Sequence, residues 1–155
     1  MIVNFRVTQV ESKIYVDPEE VRRQKNVNIN YDINLKNTAL VPNQTPFGEK
    51  TVLRVEYAFS INYLSPNVGH IRFEGHSDYY SDEDDLNQIK SDWDAGKAPS
   101  NVQNQIANTM VSNLAPLAVT LSSKLGLPPA MPLPAINFQQ KKAGKPEPVQ
   151  TMYHG

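Results

Sequence analysis

The chain is expected to fold as α+β, with a four-stranded antiparallel sheet packed against a C-terminal helical segment. Three observations lead there. Four stretches before residue 80 alternate apolar and polar residues with period two, the mark of strands wet on one face. Apolar spacing then changes to three and four residues, as on an amphipathic helix. The 155 residues suit one domain with one core, and 39% apolar content is globular rather than disordered.

The first strand is expected over residues 2–16. Val3, Phe5 and Val7 point one way, and Val10, Ile14 and Val16 follow out of phase, so a bulge or bend belongs near Gln9. Residues 17–26 carry Pro18 and a charged run and are long enough to cross the sheet. The second strand sets Val27, Ile29, Tyr31, Ile33 and Leu35 against Asn28, Asn30, Asp32, Asn34 and Lys36. A hairpin loop is expected over 42–48. The third strand, 51–64, places Leu53, Val55, Tyr57, Phe59, Ile61 and Tyr63 on one face. Ser65-Pro66-Asn67 makes a tight turn into a fourth strand near 68–80, with Ile71, Phe73 and Tyr79 on its apolar face.

Residues 81–85, Ser-Asp-Glu-Asp-Asp, read as a helix start, where a hydroxyl caps free N–H groups and acids suit the dipole. Leu86, Ile89 and Trp93 give a short amphipathic turn or two, stopped by Gly96. A longer helix opens at Pro99 and Ser100 and carries Val102, Ile106, Met110, Val111, Leu114, Leu117 and Leu121. Pro116 should kink or split it, because proline lacks the donor to the preceding turn. Gly126 ends it. Residues 127–135 are apolar and rich in proline, which excludes a regular helix or central strand. They serve as a rigid connector on the core or as one wall of an apolar groove. Residues 139–155 are polar, with Gly144, Pro146 and Pro148, and are expected to be a mobile tail following a domain of residues 1–138.

Formal net charge is -1, with 15 basic and 16 acidic residues, which gives no electrostatic reason to expect nucleic acid. There is no cysteine, so disulfides, thiol catalysis and thiolate metal sites are excluded. No secretory leader or membrane span is apparent, and the expected compartment is the cytoplasm. His70, Glu74, His76 and Asp78 share the polar face of the fourth strand, where a metal cluster is geometrically possible. A solvated face of mixed charge accounts for them better, since no strong metal motif accompanies them. No nucleophile elbow or phosphate loop is present either. The expectation is no enzyme, no metal and no cofactor.

The order of four strands, a long helix, an apolar proline-containing loop and a short Asn-Phe segment resembles the SecB family of preprotein-export chaperones. Leu53-Arg54-Val55 opening the third strand carries part of the likeness. The rest lies in residues 106–112 (Ile-Ala-Asn-Thr-Met-Val-Ser), 133–138 (Leu-Pro-Ala-Ile-Asn-Phe) and the first strand, 4–17. The resemblance covers the chain to Phe138. It implies a Greek-key sheet with strand one beside strand four and residues 17–26 as the crossover. It also implies a homo-oligomer, a dimer of dimers, that holds unfolded polypeptides in apolar grooves. The crossover and the loop after the long helix wall those grooves, which assigns Val21, Leu125, Leu127, Met131, Leu133, Ile136 and Phe138 to polypeptide binding. Departures from the family include the acidic stretch 81–96 and a crossover with Val21 as its one apolar side chain. They point to a client outside the export pathway, such as the antitoxin of a toxin–antitoxin pair, as readily as to a preprotein. The alternative is a structural or adaptor subunit that recruits one folded partner.

Overall fold

The computed structural model describes residues 1–23, 27–64, 67–129 and 152–154, with backbone alone at 18, 21, 22 and 152–154. Its elements are β1 (Ile2–Ile14), α1 (Pro18–Arg23), β2 (Asn28–Thr45), β3 (Gly48–Leu64), β4 (Gly69–Tyr79), α2 (Glu83–Asp94), α3 (Ser100–Leu125) and β5 (Met152–His154). The strands form one antiparallel sheet in the order β1-β4-β3-β2-β5.

The core face expected on β3 is buried throughout, and Val52, Ala58 and Ser60 of its other face are buried as well. Leu53, Val55, Tyr57, Phe59, Ile61 and Tyr63 are buried, and so are Ile29, Tyr31 and Ile33 on β2 and Ile71 and Phe73 on β4. Register places Phe59 beside both Ile33 and Phe73, and Tyr31, Phe59 and Phe73 stack in a row across three strands with ring centroids 6.3 Å apart. One helix covers this layer: Ala107, Met110, Leu114 and Ala118 of α3 join the same core. A second cluster closes the far end, where Leu86 and Ile89 of α2 and Val102 and Ile106 of α3 meet Leu53, Val55 and Tyr79.

The expected slip in β1 is present, with register shifts between Ile2 and Asn4 and between Val7 and Gln9. Four expectations need correction. The loop foreseen over 42–48 is strand almost throughout, because β2 runs to Thr45 and turns at Pro46 and Phe47. The Thr45 hydroxyl fixes this turn by accepting from the Phe47 N–H (3.1 Å) and donating to the Gly48 carbonyl (2.8 Å), while Gly48 takes φ 97°. Pro42 is tolerated because β2 lies at the sheet edge there and needs no outward donor. Secondly, of the kink or split expected at Pro116 the split is excluded, because α3 runs unbroken from Ser100 to Leu125. Pro116 is exposed, so water can satisfy the carbonyl it orphans, and Met110, Leu114 and Ala118 hold both halves on one sheet. Thirdly, α2 extends over twelve residues rather than a turn or two, capped by the Asp82 carboxylate accepting from the Asp85 N–H. Fourthly, the last residues of the expected mobile tail form β5, pairing with Asn28–Asn30; three residues are too short a run to show alternation. Ser65 and Pro66 of the expected turn lie outside the described residues. Among the described residues no helix is long and apolar enough to cross a membrane.

Candidate functional site

The described parts of the two segments expected to wall a groove, residues 17–23 and 127–129, lie at one end of the sheet. At this end Ile14 of β1 faces Gly69, Tyr63 also faces Gly69, and Asn28 faces Leu64. The chain leaves β1 here through Tyr15, whose N–H donates to the Val68 carbonyl (2.9 Å), and enters α1. Asp17 starts α1, its carboxylate accepting from the Glu19 N–H and its carbonyl from the Glu20 N–H. From the other side, α3 ends at Gly126 in the left-handed region, φ 70°, and the Leu127 N–H returns to the Ser122 carbonyl. The Tyr63 hydroxyl donates to the Pro128 carbonyl at 2.8 Å. Burial pushes that phenol well above its ordinary pKa, so it stays a donor at any working pH.

Leu125 is half-buried against the core, and Leu127 is only 5% exposed within it. Leu127 therefore anchors the loop inward. It packs close to Gly69, where an added Cβ would lie 3.6 Å from its side chain and 2.6 Å from the Lys13 carbonyl. The backbone of Val21 lies in α1 at the same end, and its side chain is outside the described residues, as are Met131, Leu133, Ile136 and Phe138.

The polar face of the sheet is organised by pairs rather than by a metal-like cluster. Glu74 is claimed by Lys36 at 2.9 Å and Arg72 at 2.8 Å, and these two cations hold its carboxyl below the ordinary value. His70 contacts the Tyr15 hydroxyl at 2.6 Å through Nδ1 and Glu11 at 3.2 Å through Nε2. His76 is pulled down by burial and then by Arg54. Among the described residues no group of three or more His, Asp or Glu is placed to hold a metal ion.

Asp78 is the feature that sequence reading missed. It has no solvent exposure, and four donors converge on it: Arg54 Nε at 2.8 Å, an Arg54 terminal nitrogen at 3.0 Å, Asn4 Nδ2 at 3.1 Å and Asn43 Nδ2 at 2.6 Å. Burial alone would raise this carboxyl, but the Arg54 and Asn4 hydrogen bonds outweigh burial and hold it low. One side chain thereby ties β1, β2, β3 and β4 together. Only long-range partners reveal this, and the local alternation that marks Asp78 as polar carries no trace of them.

At the opposite end of the sheet a cleft of about 580 Å³ opens between the β2–β3 hairpin and the start of α2. Leu40, Tyr80 and Leu86 contribute apolar surface, and Glu49, Asp82 and Glu83 line it with negative charge beside the cation Lys50. Phe47, 58% exposed, leans on Tyr80 with ring centroids 5.5 Å apart. Comparison of the chain with protein-family models, with curated proteins and with solved structures found no match in any of the three.

Proposed function

We propose that this protein binds unfolded or extended polypeptides in an apolar groove, as a SecB-like holder of preproteins or of an antitoxin-like client. One observation carries the reading. The crossover through α1 and the loop after α3 emerge together at the Gly69 end of the sheet, with Leu127 and the Pro128 carbonyl pinned there. Pro128, Pro129, Pro132 and Pro134 restrict the stretch that follows α3, so less ordering entropy is lost when a client arrives. The strand order β1-β4-β3-β2, in which β1 lies beside β4, is the order that a Greek key of the expected kind would have and supports the same reading. The protein acts without catalysis, metal or cofactor, in the cytoplasm, and assembles as a dimer of dimers.

The test is affinity for an unfolded, non-aggregating protein, measured for the wild type and for a Met131→Ser/Leu133→Ser variant that keeps Leu127. Binding that weakens while thermal melts coincide supports the groove. A wild type that binds no unfolded protein overturns it. A second reading, an adaptor for one folded partner, is favoured by the acidic-rimmed cleft beside exposed Phe47 and Leu40. Capture that depends on Phe47 and resists competition by unfolded protein would select it.

A further inference from the structure

Among the described residues β2 is flanked on both sides only where it begins. Its inner edge pairs with β3 from Asn28 to Thr45, whereas on its outer edge β5 covers Asn28–Asn30 alone. Asn28 faces His154, Ile29 faces Tyr153 and Asn30 faces Met152. From Tyr31 to Leu35 no strand covers that edge among the described residues. Beyond Leu35 the register with β3 shifts before Thr38, and a bulge there ends the regular edge.

The stretch 28–35 lacks the usual devices that blunt an edge. It holds no proline and no lysine, its strand is regular, and Lys36 and Pro42 come only after it. Its residues alternate between the core layer (Ile29, Tyr31, Ile33) and the polar face (Asn30, Asp32, Asn34). Among the described residues Asn30, the last of the covered positions, keeps a buried Oδ1 with no hydrogen-bond partner. The stretch also starts at the end of the sheet where α1 and the loop after α3 emerge.

We propose that the outer edge of β2 over residues 28–35 is a strand-binding site for an extended polypeptide. The chain's own Met152–His154 is its resident occupant, displaced when a client segment adds antiparallel to β2. The proposal rests on the reading of the protein as a polypeptide holder and supplies its mode of recognition. Main-chain hydrogen bonds to an edge strand accept many sequences, and side chains at alternate positions lie beside the apolar row. A three-residue strand forms few ladder bonds, so it protects the edge from chance pairing yet exchanges readily for a longer segment. The antiparallel pairing of β5 fixes the direction in which the client runs.

The experiment follows amide hydrogen exchange in the full chain and in a variant ending at Thr151. The probes are a reduced, unfolded, non-aggregating protein and a peptide of the sequence of residues 149–155. In the full chain, saturating unfolded protein should slow exchange over 31–35 and speed it at Met152–His154. Truncation should speed exchange at Asn28–Asn30, added peptide should slow it again, and unfolded protein should bind several-fold tighter. Client binding that leaves exchange over 28–35 and at 152–154 unchanged overturns the strand site but leaves polypeptide holding intact. Protection of 28–35 by the peptide, with no binding of unfolded protein to either form, supports the strand site and removes the holding function. A truncated chain that folds, binds unfolded protein with unchanged affinity and gains no protection from the peptide also overturns the proposal.

Discussion

Gly75 lies on the core side of β4, where a Cβ would sit 2.0 Å from the Arg6 carbonyl oxygen and 2.6 Å from the Tyr57 hydroxyl. That hydroxyl donates to the Arg6 carbonyl at 3.0 Å, and the Tyr57 ring stacks on Phe5 at 5.0 Å. Gly75→Ala must therefore move either a buried tyrosine or the β1 backbone. It should cost about 2–3 kcal/mol, the range of core overpacking, in denaturant unfolding; a loss under 0.5 kcal/mol would show that β1 yields freely. Asp78→Asn leaves the Arg54 guanidinium facing a neutral group, and about 3 kcal/mol should be lost, as when a buried ion pair is broken. The pH dependence has a definite sign. The folded Asp78 carboxyl lies below its ordinary value of 3.8, so its contribution is complete above that value. It fades as pH falls through 3.8 and then through the lower folded value. Unfolding free energy should drop below about pH 5 in the wild type and drop less in the Asp78→Asn variant. Equal acid slopes in the two proteins would remove Asp78 from the account. None of these contacts was legible in the sequence. Gly75 reads as a weak point in a strand, and the partners of Asp78 lie 24, 35 and 74 residues away.

Whole elements were easier to read, because a half-buried strand or helix repeats its signal many times. Six successive alternate positions on β3 gave its core face correctly, and the three-to-four spacing of α3 gave Val102, Ile106, Met110 and Leu114. Reading failed where one residue type has two physical uses. Pro42 suggests a loop but sits in an edge strand, and Pro116 suggests a break but sits on the exposed side of a helix anchored at both ends. Pro116→Ala restores a backbone donor and should stabilise the protein by about 1–3 kcal/mol, seen as a higher melting temperature. An unchanged melt would mean that the helix already compensates for the missing bond. Leu127 poses the same ambiguity, since an apolar residue between prolines fits both a groove wall and a core plug. Its burial implies that Leu127→Ala costs about 2–4 kcal/mol, as for other buried leucines. A melt indistinguishable from wild type would return Leu127 to the groove surface.

The whole molecule presents β1 as the opposite edge of the sheet, with Val10 49% and Tyr15 45% exposed. α3 adds Leu117, 43% exposed, beside the face it buries. Apolar groups on a long open edge and on a helix flank favour association, and sedimentation at micromolar concentration should show a dimer or larger species. A monomer would count against the dimer-of-dimers assembly. The strand order has a further consequence in time. β2 and β3 are joined by a two-residue turn and can zip together as soon as both exist, but among the described residues β1 pairs only with β4. Of the four long strands β1 is made first, yet it cannot pair until Tyr79 of β4 has left the ribosome. At about 5–20 residues per second, the interval is several seconds or more. Throughout it, Val3, Phe5, Val7 and Val10 travel as an unpaired apolar strand, so the nascent protein passes through the condition of the clients proposed for the finished one.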